Sequence, residues 1–96
     1  MANYVVLANF TDQGIRGIKD TTQRAQAFRD LARKMGAEIK DIFWTLGAYD
    51  VVLTMQAPND ETAASVLMKA GSLGNLTSRT LRAFTEKEMD SILAKV

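Results

Sequence analysis

The chain has 96 residues, 47% of them hydrophobic, and its 12 Lys and Arg stand against 11 Asp and Glu for a formal net charge of +1. That length holds one domain with one core, and a charge so near balance gives no electrostatic reason to expect nucleic acid or an anionic membrane as a partner. Cys and His are both absent, which excludes disulfides, thiolate nucleophiles and thiolate metal sites and removes the commonest general base and metal ligand.

In chain order, MANYVVLANF comes first. It lacks a basic n-region, and its apolar run is strand-length and broken by Asn9, so neither a signal peptide nor a membrane span is expected and the chain should be cytoplasmic. Residues 3–10 are apolar on both alternating faces, which suits a central strand covered on both sides. Residues 11–19 carry two glycines and read as a connection. Asp20 and Gln23 have capping-box spacing, and the helix that follows carries Ala25, Phe28, Leu31, Ala32 and Met35 along one stripe. Arg33 and Lys34 suit its last turn, and Gly36 its left-handed cap.

Residues 37–46 alternate Ile39, Asp41 and Phe43 with Lys40, Ile42, Trp44 and Leu46, an edge-like strand with charge on both faces. After Gly-Ala-Tyr-Asp (47–50), Val51, Leu53 and Met55 share one face of a second strongly apolar strand. Pro58 stops it, and Asn59 caps a helix with an acidic first turn and a stripe of Ala63, Val66, Leu67 and Ala70. GSLGNL (71–76) breaks that helix, with Gly71 and Gly74 as its stop and turn. A last strand then places Arg79 and Arg82 on opposite faces. Thr85 and Glu88 form a second capping-box pair before an amphipathic helix bearing Met89, Ile92, Leu93 and Val96.

The order is βαββαβ plus a C-terminal helix, all in a single domain spanning residues 1–96. The first and third strands are the apolar ones. A ferredoxin-like α+β fold with antiparallel sheet order 4-1-3-2 puts those two in the centre and the polar pair at the edges. Both main helices then cover one sheet face. The other would expose the second apolar side of the first strand together with Val52 and either Ile42 and Trp44 or Phe43, depending on register. A patch of that size predicts self-association, sheet against sheet.

NFTDQGIRGIKD, FWTLGAYDVVLTMQAPNDETA and GSLGNLTSRTLRAFT, in this order and spacing, resemble the GYD-domain proteins, whose Gly-x-Tyr-Asp motif falls on Gly47, Tyr49 and Asp50. The resemblance covers almost the whole chain. It implies a dimeric α/β-barrel protomer that pairs through its sheet, and it carries over no catalytic residues. Thr21-Thr22 departs from the Ser-Pro that relatives often have at the helix start. More distantly, GAYDVVL and SLGNLTSRT are similar to the small-molecule-binding RAM module of the leucine-responsive regulators. There the hairpin between the second and third strands lies at a subunit interface and helps bind amino acids. No DNA-binding helix-turn-helix precedes the module here, so the similarity implies a free-standing ligand module.

Two readings of the hairpin stand side by side. In one, Gly47 supplies the turn, Asp50 accepts N–H bonds within it, and Tyr49 packs its ring with a wet hydroxyl. In the other, a pocket at the sheet face or subunit interface is built from Trp44 and Tyr49 as apolar contacts, Arg79 as an anion partner and Asp50 as a fixed acceptor. The basic run from Arg16 to Lys34 reads as a solvated helix face with no interleaved aromatics to stack bases. The glycines follow no phosphate-loop spacing, and no cofactor or metal is expected. The function expected is an oligomeric small-molecule-binding or regulatory module. A cofactor-free barrel enzyme, with Asp41, Asp50, Lys19, Tyr49 and Arg79 as its polar candidates, and a purely structural subunit are the alternatives.

Overall fold

Two strands without a charged residue, β1 (Ala2–Phe10) and β3 (Val51–Ala57), pair antiparallel from Ala2 opposite Ala57 to Ala8 opposite Val51, and the rest of the chain assembles on that ladder. The computed structural model describes residues 1–96. β2 (Glu38–Trp44) adds to β3 and β4 (Leu76–Ala83) adds to β1, giving the sheet order β2-β3-β1-β4. This is the ferredoxin-like α+β arrangement expected, with the polar strands at the edges.

Helices α2 (Thr21–Lys34) and α3 (Asp60–Ser72) cover one sheet face. Val6, Met55 and Val66 are its most deeply buried large side chains, and Ala32, Ala57 and Ala63 let the helices approach closely. As expected, Asn59 caps α3 by accepting the Thr62 N–H at 2.8 Å. Thr85 and Glu88 close a capping box on α4 (Glu86–Leu93), so Glu88 is held below its usual pKa, first by the Thr85 backbone N–H. α4 packs on no other element as the sheet helices do, and its Met89 and Leu93 are exposed.

Three local expectations change. The segment after β1 is not a plain connection: it holds a short helix, α1 (Asp12–Arg16), and a 3-10 turn over Ile18–Asp20. Thr11 caps α1, and the segment is sewn to the α3–β4 turn by the Thr11 N–H to Asn75 carbonyl bond (3.1 Å) and by Gln13 Nε2 donating to the Leu73 carbonyl (3.0 Å). The approach is so close that a Cβ on Gly14 would sit 2.1 Å from the Asn75 carbonyl oxygen. Secondly, Asp20 makes no side-chain cap on α2. The 3-10 turn enters α2 directly, so Asp20 lacks the extended backbone that lets a cap reach back. Thirdly, α3 runs through Gly71 and ends at Ser72.

A β-bulge between Ile39 and Asp41 decides which β2 residues face the open side. The inserted residue flips the alternation, and the Asp41 N–H donates to the Thr54 hydroxyl at 3.2 Å. Ile39, Ile42 and Trp44 therefore share the helix-covered face, opposite Met55, Leu53 and Val51, while Phe43 lies opposite Val52 on the other. Two rows cross that open face, Phe43–Val52–Leu7–Arg79 and Asp41–Thr54–Val5–Leu81. Phe43 is 60% and Leu81 51% exposed.

Tyr4 ties β1 to the first turn of α3, its hydroxyl donating to Asp60 Oδ1 at 2.5 Å. Burial, and then this bond, raises the phenol above its ordinary pKa of 10.0. Tyr4→Phe should cost roughly 1 kcal/mol in urea melts near pH 8. Native Tyr4 keeps its proton where the unfolded phenol has lost it, so the contribution is whole below about pH 10 and is lost as pH rises beyond it. The stability gap between wild type and Tyr4→Phe should therefore narrow from pH 8 to 11; a constant gap would show that the bond does not hold the proton.

Candidate functional site

α2 and α3 contact each other only sparsely, and between them lies a cleft of about 300 Å³ that reaches the sheet. Val6, Ala8 and Leu53 form its floor and Phe28, Leu31 and Leu67 its walls; 15 of its 21 lining residues are hydrophobic. The helix periodicity that fills a core places Phe28 and Leu31 here, but small residues, Ala25 and Ala70 among them, leave the space beside them open. Trp44 stands at the end of β2 and donates from its indole Nε1 to the Thr21 hydroxyl at 3.0 Å, joining β2 to the start of α2 at the cleft. Such a space desolvates an apolar body and orients it by a few polar groups. No group of three or more His, Cys, Asp or Glu anywhere in the chain is placed to hold a metal ion.

The Gly47–Asp50 segment sits beside this cleft and does another job. Gly47 has φ +112° with nothing within 4 Å of where a Cβ would be, so the requirement for glycine is conformational. Asp50 makes three bonds. Its carboxylate Oδ2 accepts the Phe10 N–H at 3.0 Å, its own N–H donates to the Ala8 carbonyl at 2.9 Å, and its carbonyl accepts the Thr45 N–H at 2.8 Å. The side chain thus accepts from β1, across the sheet, and not from an N–H of the turn as the sequence suggested. The Tyr49 carbonyl accepts from the Thr45 hydroxyl at 2.5 Å, and the residue is half-buried.

Arg79 lies opposite Leu7 on the open sheet face. Of the four side chains that the sequence grouped into one pocket, Trp44 lines the cleft, Tyr49 and Asp50 build the hairpin, and Arg79 faces away from both. What the sequence did not single out is Arg24 and Lys69, which line the cleft from α2 and α3. Arg24 stands within a basic run whose other members are ordinary helix-face charges, so no local signal separates it. A second groove, on the other side of α3, gathers Tyr4, Asp60 and Arg82. Arg82 lies 4.7 Å from the Phe84 ring centroid and 5.7 Å from that of Tyr4, and pairs with Glu88 at 3.6 Å.

These bonds set a test of Asp50. Asp50→Asn keeps an oxygen for the Phe10 N–H and should change stability by no more than about 0.5 kcal/mol, whereas Asp50→Ala orphans that donor and should cost about 1–3 kcal/mol. Equal denaturant midpoints for the two variants would show that the carboxylate does not hold the end of β1.

The fold is shared with two solved structures. MtbAldR, from Mycobacterium, superposes with a TM-score of 0.69 at 15% identity over 88% of this chain, which spans only 52% of that protein. TTHA0845 of Thermus thermophilus superposes with a TM-score of 0.58 at 21% identity, over 88% of this chain and 95% of that one. A further Thermus thermophilus relative, named the glutamine synthetase and cystathionine beta-lyase binding protein, is 27% identical over 84 residues, which is 86% of this chain and 88% of that protein. The sequence model of the GYD domain matches residues 4–93, the strands, the hairpin and the cleft together, and the chain belongs to the GYD domain family.

Proposed function

We propose that this GYD domain is a self-associating binding module that holds a small, largely apolar organic molecule in the cleft between α2, α3 and the sheet. The cleft carries the reading: about 300 Å³ bounded mainly by hydrophobic side chains. An engineered apolar cavity of about 150 Å³ accommodates benzene, so the space here suits a bicyclic ring or a chain of about eight carbons. Trp44 is the only tryptophan and lines the cleft, which makes its emission a direct reporter. Titration with 1-octanol should give a saturable blue shift as water leaves the indole, and Ala70→Phe, which fills the cleft, should abolish it. An emission maximum that stays fixed at saturating probe, in a folded protein, would end the reading.

The self-association is supported by the open sheet face. Val5, Leu7 and Val52 form an apolar centre there, with Arg79 on the β4 edge and Asp41 and Phe43 on the β2 edge. A two-fold axis lying between two such faces and running along the strands sets each β4 edge over the partner's β2 edge, so that opposite charges flank an apolar seam. Light scattering at micromolar concentration should give at least twice the 10.6 kDa chain mass, and Leu7→Glu, which puts an unpaired charge into the seam, should move it toward the monomer. A wild-type mass of 10.6 kDa would exclude this assembly.

A protein partner is the second reading. The Thermus relative's name states that it binds two enzymes, and here the apolar side of α4, with Met89 and Leu93 exposed beside the stacked Arg82 and Phe84, offers a surface of the right character.

A further inference from the structure

We infer that the cleft selects an organic anion, an apolar body of about eight carbons ending in a carboxylate; this rests on the reading of the cleft as the ligand site. The walls of the cleft carry charge of one sign only. Asp and Glu make up 11 of the 96 residues, nearly as many as Lys and Arg, yet none lines the cleft. Its two ionisable side chains are Arg24 and Lys69, both cationic, one from each flanking helix.

Neither has a carboxylate partner. The ion pairs of the structure are Arg33–Asp30, Lys40–Glu38 and Arg82–Glu88. Arg24 is only partly exposed, and its guanidinium is aimed by two neutral backbone acceptors, the Gly17 carbonyl at 2.6 Å and the Gly14 carbonyl at 3.1 Å. Carbonyl oxygens fix the direction of a guanidinium without cancelling its charge. They also leave donors free, since the group has five N–H bonds in a planar fork suited to a carboxylate. The arginine that the α1 segment holds in place is thus a preorganised cation beside a low-polarity space, where Coulomb attraction is stronger than in bulk water. A neutral ligand would leave that charge unanswered, and a cationic one would be repelled by both residues. An anion with an apolar tail answers both features of the wall together, its tail among Phe28, Leu31 and Trp44. The volume sets the upper size, because a two-chain phospholipid does not fit.

The test compares three probes with one tail, octanoate, 1-octanol and octylammonium, by Trp44 emission on the full chain at pH 7. Octanoate should bind at least about tenfold more tightly than 1-octanol, the scale of one charge-assisted hydrogen bond, and octylammonium more weakly than 1-octanol. Arg24→Gln and Lys69→Gln should each weaken octanoate binding by a larger factor than 1-octanol binding, and so erode the octanoate advantage. Lys69 is exposed and makes no ion pair, so its variant keeps the test open if Arg24→Gln disturbs α1. Octanoate binding no tighter than 1-octanol, or an advantage that persists in both variants, would overturn the anion selectivity while leaving the cleft as a site. If none of the three shifts the emission, the cleft reading fails, and the selectivity with it.

Discussion

The β1–β3 ladder sets the terms for everything built on it, because pairing in register fixes which face each side chain occupies and a one-residue slip would exchange the faces. It runs from Ala2 opposite Ala57 to Ala8 opposite Val51. At its open end Asp50 continues it, donating its N–H to Ala8 and accepting the Phe10 N–H on its carboxylate. That carboxylate takes the Phe10 N–H on the β3 side, where the β1–β3 register has ended, while Phe10 stays paired with Leu76 of β4 on the other. It thereby holds Phe10 and Ala8 in the floor of the cleft and Leu7 in the open face.

The two faces spend their apolar surface differently. On the helix side, Tyr4, Val6, Leu53 and Met55 are buried under α2 and α3. The two helices contact each other only sparsely, and the small side chains of their facing walls leave the cleft beside this core. At about 24 cal/mol per Å³, a sealed void of the cleft's size, about 300 Å³, would forgo about 7 kcal/mol of packing, comparable with the whole stability of a small domain. Openness to solvent lowers that cost, and filling the space would recover part of it. On the other side the apolar residues are spread in a plane across four strands, the surface on which the proposed self-association rests.

How much of this was legible in the sequence follows the range of the interactions. Strand order was readable because β1 and β3 lack charged residues and β2 and β4 carry them, a pattern local to each strand. The Asn59 and Thr85 caps and the Gly47 turn were readable for the same reason. The bulge at Lys40 was not. Alternation alone cannot show an inserted residue, and the insertion depends on the Thr54 hydroxyl across the ladder taking the Asp41 N–H. It is this bulge that sends Trp44 to the cleft and Phe43 to the open face, the choice that alternation left open. The helical character of residues 12–16 was hidden similarly, because Gly14 marks a close approach to Asn75, far along the chain, and not a loop. The proposed pocket residues scattered because Trp44, Tyr49 and Asp50 are neighbours at one hairpin that the pleat divides between two faces, and Arg79 stands on β4, at the opposite edge of the sheet from β2.

That division gives the Gly-x-Tyr-Asp motif its physical meaning. Gly47 lets the chain reverse, Thr45 closes the hairpin on the Tyr49 and Asp50 carbonyls, and Asp50 locks it to β1. Immediately before it stand Phe43 and Trp44, consecutive residues on an edge strand that no second neighbour steadies. The bulge sets their faces, and pairing with Val52 and Val51 of β3, closed by the hairpin, holds both in place: Trp44, bonded to Thr21, at the cleft, and Phe43 at the rim of the open face. A small displacement of the end of β2 would move the two together. Under the proposed function, occupancy of the cleft and pairing of the sheets are then linked through one dipeptide, and whatever preference a ligand has for the assembled form, the assembled form has for that ligand.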